Sequence, residues 1–199
     1  ADVHTQNQSW VRQAAVYREM GIKNHMFMLA LHDVTLQGVD PFNLDLTVEQ
    51  MARIAIECKV NPWYYFREVA RAPAISGTGT LPYTANRGNI ALFWCFFNHV
   101  ETLLIQIRQT GKSFGIDQLA SVLLNVMCNN TQINLLTKDD SLRAANIQRL
   151  KDIEAELPHY LRQRTRDDVN NTEELTIKRL GNSYKAHVPQ KSPKMALNV

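Results

Sequence analysis

The first half of the chain has hydrophobic positions at helical spacing, interrupted by polar and glycine positions. This spacing predicts short helices over residues 10–20 and 25–31, while the polar residues 1–9 are expected to be mobile. Thr47 and Gln50 match a capping box and predict that another helix begins there. The apolar face of that helix is expected to contain Val48, Met51, Ile54, Ala55 and Cys58.

A further helix is predicted to begin at Asn61 and Pro62, since proline is tolerated in the first turn of a helix. The aromatic group at residues 63–66 is a candidate base-stacking platform. Aromatic side chains at helical spacing more often pack in a core, so core packing is the preferred interpretation. Residues 72–88 are rich in proline, glycine, serine and threonine, which indicates a linker.

The pattern changes after this linker. A helix over residues 89–99 is followed by apolar residues 102–105, which are predicted to form a strand. A further helix is expected to reach about Cys128, and residues 132–137 are expected to form a second strand. The order strand, loop, helix, strand, helix is typical of a βαβ unit with a parallel sheet.

The last part of the chain is predicted to contain a capped helix and a hairpin. Two aspartates and a serine at positions 139–141 precede a helix pattern that Pro158 ends. Two alternating runs over residues 174–188 flank Gly181 and Asn182, which indicates a β-hairpin.

Gly111, Lys112 and Ser113 lie between the predicted strand at residues 102–105 and the helix that follows. A phosphate-binding loop is expected at such a junction, because consecutive backbone amides and the positive end of the helix attract anions. The pattern assigns Lys112 to contact with the β- and γ-phosphates and Ser113 to magnesium. The alternative interpretation is a surface turn that has this sequence by chance.

Two features of this loop are unusual. Gln106 stands where the first glycine of the pattern normally lies, five residues before Gly111. Arg108 lies inside the loop, where a guanidinium would contact the γ-phosphate and stabilise the charge that develops during phosphoryl transfer. A structural hydrogen bond within the loop is the alternative role of Arg108.

Composition limits the class of protein without identifying a partner. The chain has 199 residues, 45% hydrophobic and 21% charged, which is typical of a globular chain long enough to bury a core. Its net charge of +3 is too small to indicate a nucleic-acid partner by itself. No apolar run reaches the length of a membrane-spanning helix. The wide spacing of Cys58, Cys95 and Cys128 favours buried reduced thiols over a zinc site.

At the phosphate loop the sequence resembles a known family. The stretch "IQIRQTGKS" is similar to the variant loop of large terminase subunits of tailed bacteriophages, which lacks the first glycine and contains an arginine. Residues 133–162 are similar to the strand and helix that follow in that family, including a Glu-Leu-Pro-x-aromatic-Leu ending. Residues 170–188 resemble the hairpin that precedes the acidic motif of the family. Together the similarities cover residues 86–199.

The resemblance implies an α/β fold with a RecA-like P-loop ATPase core, in which helices flank a parallel sheet. Residues 1–85 would form a small helical lid subdomain and linker, and residues 86–199 would form the first part of the core. The implied ATP-binding residues are Gln106, Ile107, Arg108, Gln109, Thr110, Gly111, Lys112 and Ser113. Ser113 would also hold Mg²⁺, and Lys112 and Arg108 would act in catalysis. The candidates for adenine contact are Asn86, Arg87 and Asn89.

The resemblance also implies an activity and partners. Large terminase subunits couple ATP hydrolysis to translocation of double-stranded DNA into a viral procapsid, and they contain a nuclease domain. The implied partners are double-stranded DNA, a portal protein, a small terminase subunit and further copies of the chain in a ring. The implied location is the host cytoplasm and the procapsid, with no membrane. The acidic-motif strand and the nuclease carboxylates do not follow residue 188, so the chain alone is expected to be inactive.

Two alternatives stay open. A helicase-like or remodelling ATPase would share the broad fold, and a nucleotide-binding or assembly module would bind ATP without turnover. The Glu-Leu-Pro-x-aromatic-Leu segment favours the terminase. The basic cluster Arg162, Arg164 and Arg166 is a candidate for contact with DNA phosphates. Because Asp167 and Asp168 follow it directly, a solvated loop of mixed charge is the preferred interpretation.

Overall fold

The structure of the protein, a computed structural model, describes residues 1–73, 79–105 and 111–188. These residues form a mixed α/β fold with a two-stranded antiparallel sheet and a three-stranded mixed sheet. The chain divides into two compact units, a first unit of Ala1–Leu119 and a second unit of Ala120–Val199. The subdivision predicted at residue 85, between a lid and an ATPase core, stays a prediction.

The first unit consists of helices and one short pair of strands. Its elements are α1 (Gln8–Glu19), α2 (Val48–Val60), α3 (Pro62–Tyr64), β1 (Arg71–Pro73), β2 (Thr80–Pro82), α4 (Arg87–Phe97) and the start of α5 (Lys112–Val122). Single 3-10 turns form at Phe27–Leu29 and Val34–Leu36, so the helix predicted over residues 25–31 is reduced to one such turn. β2 and most of β1 lie within the linker predicted over residues 72–88, and the two strands pair antiparallel.

The start of α2 confirms the predicted capping box. The Thr47 hydroxyl accepts a hydrogen bond from the Gln50 amide at 3.2 Å, and the Gln50 side chain accepts one from the Thr47 amide at 2.9 Å. On the predicted apolar face, Ile54 and Cys58 are fully buried. Val48 is 83% exposed, so the prediction that the apolar face begins there is wrong.

The first residues of the chain are anchored, and the prediction that they are mobile is wrong. Asp2 and Asn7 are buried. The Asn7 side-chain amide donates hydrogen bonds to the backbone carbonyls of Arg67 at 3.0 Å and Tyr83 at 2.9 Å. The Trp10 indole donates a further bond to the Tyr83 carbonyl at 3.1 Å. The segment therefore supplies donors to carbonyls that would otherwise be buried without partners.

Aromatic packing forms the core of the first unit. α3 widens into a π-helical turn at Tyr65–Val69, and this turn buries five successive residues. The ring of Phe66 stacks on Phe93 of α4, with centroids 4.0 Å apart. Tyr64, Tyr65 and Phe66 are completely buried, which confirms that most of the aromatic group packs in a core.

The second unit contains a three-stranded sheet covered by helices. Its elements after α5 are a π-helical turn at Leu123–Met127, β3 (Gln132–Leu136), α6 (Asp140–Ala155), β4 (Glu174–Ile177) and β5 (Asn182–His187). β5 is central, parallel to β3 and antiparallel to β4, and Gly181 in the β4–β5 turn has a left-handed φ of 69°. This arrangement confirms the predicted second strand and the predicted hairpin. The core of the unit contains Leu124, Ile147, Leu150, Leu175, Ile177 and Tyr184.

The strand predicted at residues 102–105 does not form, and this prediction is wrong. These residues have no strand partner in the described part of the chain. Leu103 is 87% exposed and Ile105 is 83% exposed, so neither side chain has the burial that a core strand gives. The parallel pairing in the structure joins β3 to β5 instead, with α6 in the connection between them.

The sequence also predicts that the chain has no membrane-spanning helix and that its cysteines are reduced thiols. No helix within residues 1–73, 79–105 and 111–188 is long and apolar enough to cross a membrane. All three cysteines are free thiols; Cys58 is buried, and Cys95 and Cys128 are partly buried.

Candidate nucleotide-binding site

The Gly-Lys-Ser sequence lies at the beginning of α5. Gly111 has a left-handed φ of 75°, a conformation that glycine adopts without strain, and open space surrounds the position of a Cβ. Its carbonyl accepts the hydrogen bond of the Gly115 amide at 2.9 Å, so the helix starts here. Lys112 is the first residue of α5, and Ser113 is exposed beside it. Residues 106–110, which include Gln106, Ile107, Arg108, Gln109 and Thr110, lie outside the described residues.

This helix start has the electrostatic character that an anionic ligand requires. The first amides of an α-helix have no acceptor inside the helix, and they form the positive end of its dipole. The first turn of α5 contains no acidic residue, and Lys112 adds a positive charge. The open space at Gly111 and the exposed Ser113 hydroxyl thus fit a phosphate group and its magnesium ion.

A side chain from α4 presses against the same part of α5. A Cβ at Gly115 would lie 2.9 Å from the Cγ and Nδ2 atoms of Asn89, so only glycine fits without displacement. The neighbouring Phe114 ring packs beside Tyr83, with centroids 6.0 Å apart. Sequence reasoning missed the role of Gly115, although an isolated glycine inside a helix pattern is a recognised sign of close packing.

Asn89 presents a buried oxygen at this contact. Its side chain is almost completely buried, and its amide donates to the Tyr83 hydroxyl at 2.6 Å. The Oδ1 atom is buried and has no hydrogen-bond partner among the described residues. Burial raises the pKa of Tyr83 to about 12, and the hydrogen bond from Asn89 opposes this rise. The Tyr83 hydroxyl thus accepts the Asn89 hydrogen bond as a neutral phenol.

The other two adenine candidates have different surroundings. The Asn86 side chain caps α4 by accepting hydrogen bonds from the amides of Gly88 at 2.9 Å and Asn89 at 3.3 Å. Arg87 is exposed, and its charge acts on Tyr17 of α1. Of the three candidates, the structure brings Asn89 against the start of α5.

A second buried amide lies one turn further along α5, and sequence reasoning missed it. The side chain of Gln118 is completely buried and donates to the Arg71 carbonyl of β1 at 2.7 Å. Its Oε1 atom has no hydrogen-bond partner among the described residues. Because Gln118 is polar and lies within an apolar helix pattern, only the folded structure reveals its burial.

The basic cluster of the second unit has mainly structural contacts. Arg164 forms two hydrogen bonds with the Glu154 carboxylate, at 2.7 and 2.6 Å, and donates to two backbone carbonyls. Arg162 donates to the carbonyls of Ala155 and Leu157 at the end of α6. Arg166 is exposed. The three arginines are therefore not equivalent candidates for phosphate contact.

Comparisons with protein-family models and with curated proteins gave no match to this chain.

Proposed function

We propose that the chain is the ATP-binding part of a viral DNA-packaging motor of the large terminase type, built on a RecA-like ATPase core. The observation that carries this proposal is the Gly111-Lys112-Ser113 sequence at the beginning of α5, with a left-handed glycine before the first helical residue. The parallel pairing of β3 and β5 across α6 is compatible with such a core. The resemblance of residues 133–162 to the terminase family supports it further.

The proposal gives each residue of the site a role. The amides at the start of α5 and the Lys112 ammonium would hold the β- and γ-phosphates, and Ser113 would hold Mg²⁺. Residues 106–110 would complete the phosphate loop, and Arg108 would stabilise charge on the transferred phosphoryl group. Asn89 is buried against Gly115, so in this proposal it would support the start of α5 and would not contact the adenine. Bound ATP supplies the phosphoryl group whose transfer to water drives the motor.

The proposal extends to the complete packaging machine. In it, the chain would act with double-stranded DNA, a portal protein and a small terminase subunit. Several copies would form a ring on the procapsid in the host cytoplasm. A nuclease activity would accompany the ATPase in the complete protein.

The test is calorimetric titration of the chain with ATP and Mg²⁺. Lys112→Ala removes the ammonium, and we expect affinity to fall about 100-fold, because charge-assisted contacts to phosphate contribute about 3 kcal/mol. Lys59→Ala, at an exposed position in the last turn of α2, is the matched control and should bind like the unchanged chain. Equal affinity of the Lys112→Ala chain and the control would refute the proposed site.

A further inference from the structure

The first unit contains a cavity of about 660 Å³ whose lining includes none of the residues 111–118 at the start of α5. Ligand cavities in proteins typically have volumes of about 300–1,000 Å³. The cavity lies between the end of α1, the segment that follows it, the start of α3 and one side of α4. The side chains that define its chemistry are Tyr17, Phe27, Trp63, Trp94, Asn24 and Asn98.

We call this the aromatic cavity, because Tyr17, Phe27, Trp63 and Trp94 belong to its lining. Its rings pack against one another in stacked and in edge-to-face arrangements. The Phe27 ring lies nearly parallel to Tyr17, with an angle of 13° and centroids 6.3 Å apart. Trp63 lies across Phe27 at 81°, with centroids 4.9 Å apart. The indole of Trp94, on the α4 side, is 46% exposed. Ring faces of this kind, next to an exposed indole, offer a planar group surfaces on which to stack.

Polar groups at the aromatic cavity add hydrogen-bonding capacity. Asn98 donates from Nδ2 to the Trp94 carbonyl at 2.8 Å, which leaves its Oδ1 as an acceptor. Asn24 is exposed, and its side-chain amide belongs to the lining. Side-chain amides pair a donor with an acceptor, as the edges of nucleobases do. A nucleobase could therefore pair with these groups through its edge, which an aliphatic ligand cannot do.

The charge around the aromatic cavity also favours a nucleic acid. No carboxylate belongs to its described lining. Arg87 begins α4 and lies three residues before Ile90 of the lining. Burial raises the pKa of Tyr17 on the opposite wall, and the positive charge of Arg87 acts on Tyr17 by lowering that pKa. Arg87 is exposed and is therefore accessible to a phosphate.

We propose that the aromatic cavity holds one unstacked base of a single-stranded DNA segment, with an adjoining backbone phosphate at Arg87. Stacking on aromatic side chains contributes about 1–3 kcal/mol per base. Millimolar binding of a free ligand needs about 4 kcal/mol, so stacking alone would not retain a free nucleoside. A base that belongs to a strand gains the phosphate contact in addition. The inference does not depend on the proposed ATP site.

The test uses the tryptophans of the chain as reporters. Of its three tryptophans, Trp63 and Trp94 line the aromatic cavity and Trp10 is completely buried. Oligothymidylate, added without ATP or Mg²⁺, should quench the fluorescence of the chain in a saturable way. An abasic oligonucleotide of equal length and free thymidine monophosphate should bind much more weakly. A stronger or equal response to either of these probes would overturn the proposal.

Variants on α4 attribute the response to the aromatic cavity. Trp94→Ala should weaken binding of a fluorescein-labelled oligothymidylate, measured by anisotropy, about 5- to 150-fold. Phe96→Ala is the matched control, because Phe96 lies on the same helix, is 44% exposed and is not part of the cavity lining. Both side chains are on the surface, so both variants should fold, which circular dichroism verifies. Equal losses in the two variants, or no loss in Trp94→Ala, would overturn the proposal.

Discussion

At Gly115, helix α5 has no side chain to separate it from Asn89 of α4. Alanine favours a helix over glycine by about 1 kcal/mol, so a Gly→Ala substitution at an exposed helix position would stabilise the protein. Here the added Cβ would lie 2.9 Å from buried atoms of Asn89, and such overpacking costs about 1–3 kcal/mol. We expect Gly115→Ala to lower the free energy of unfolding by about 1 kcal/mol, measured by urea denaturation.

A double-mutant cycle identifies the cause of that loss. In an Asn89→Ala background the obstruction is absent, and Gly115→Ala should then be neutral or stabilising. If Gly115→Ala still lowers the free energy of unfolding in this background, then Asn89 is not the group that obstructs the added Cβ.

Asp168 makes the stability of the second unit dependent on pH. Burial raises the pKa of its carboxyl, but hydrogen bonds from the amides of Lys178 and Thr165 and the hydroxyls of Thr165 and Thr176 outweigh burial. The folded pKa therefore lies below the unfolded value of 3.8. A lowered pKa means that the contribution is present above pH 3.8 and is lost as the pH falls through the folded pKa.

Asp168→Asn should lower the free energy of unfolding by about 2 kcal/mol at pH 7, because it removes the charged acceptor of several buried donors. Urea denaturation at several pH values should show this difference shrinking below pH 3.8. Asp167→Asn, at the exposed neighbouring position, is the control and should change stability little. A difference that stays constant down to pH 2 would contradict the assigned linkage.

At the scale of elements, Arg164 joins α6 to the segment before the hairpin. Its guanidinium makes a two-pronged contact with Glu154 of α6 and reaches the carbonyls of Val169 at 3.1 Å and Thr176 at 2.9 Å. Both charged side chains are largely buried, and removal of one partner leaves the other uncompensated. We expect Arg164→Ala to cost about 3 kcal/mol in the free energy of unfolding.

Arg164→Lys should recover little of this loss, because an ammonium cannot reproduce the planar set of donors. Arg166→Ala removes an exposed arginine of the same segment and should change the thermal midpoint little. If Arg164→Ala and Arg166→Ala unfold at the same temperature, the contact with Glu154 does not stabilise the second unit.

Elements with local signals were predictable from the sequence. The capping box at Thr47 and the β4–β5 hairpin form as expected, because each depends on residues close together in the chain. The strand predicted at residues 102–105 failed, because an apolar run becomes a strand only when another strand pairs with it. β1 and β2 were not predicted for a different reason: each has three residues, which is too short for a periodic pattern.

The candidate site was predictable to a similar extent. The Gly111-Lys112-Ser113 sequence identifies the start of α5 without any knowledge of the fold. The partners of that helix were not predictable, because Asn89 and Gln118 acquire their buried oxygens only through packing between elements. Long-range contacts of this kind have no local sequence signal.

At the scale of the whole molecule, we expect the chain to bind ATP without measurable hydrolysis. Phosphoryl transfer to water requires carboxylates that position the water and the magnesium ion. In the described part of the chain, Asp117 on α5 is buried and Asp139 caps α6. Residues 189–199 contain no acidic residue. Steady-state phosphate release should therefore equal that of the Lys112→Ala chain, which controls for contaminating ATPases. Turnover that Lys112→Ala abolishes would show that an acid within this chain completes the site.

The anchored N-terminal segment has a consequence for biosynthesis. Asn7 and Trp10 leave the ribosome well before their hydrogen-bond acceptors at Arg67 and Tyr83, which follow 60 to 76 residues later. Until those acceptors emerge, the Trp10 indole N–H and the Asn7 side-chain N–H groups lack the carbonyls to which they donate in the folded protein. Pairings so distant in sequence close slowly, because loop closure must precede any stabilising contact. Asn7 and Trp10 are therefore synthesised before the segments that anchor them, and a pause in translation before residue 83 would prolong the time for which they are unanchored.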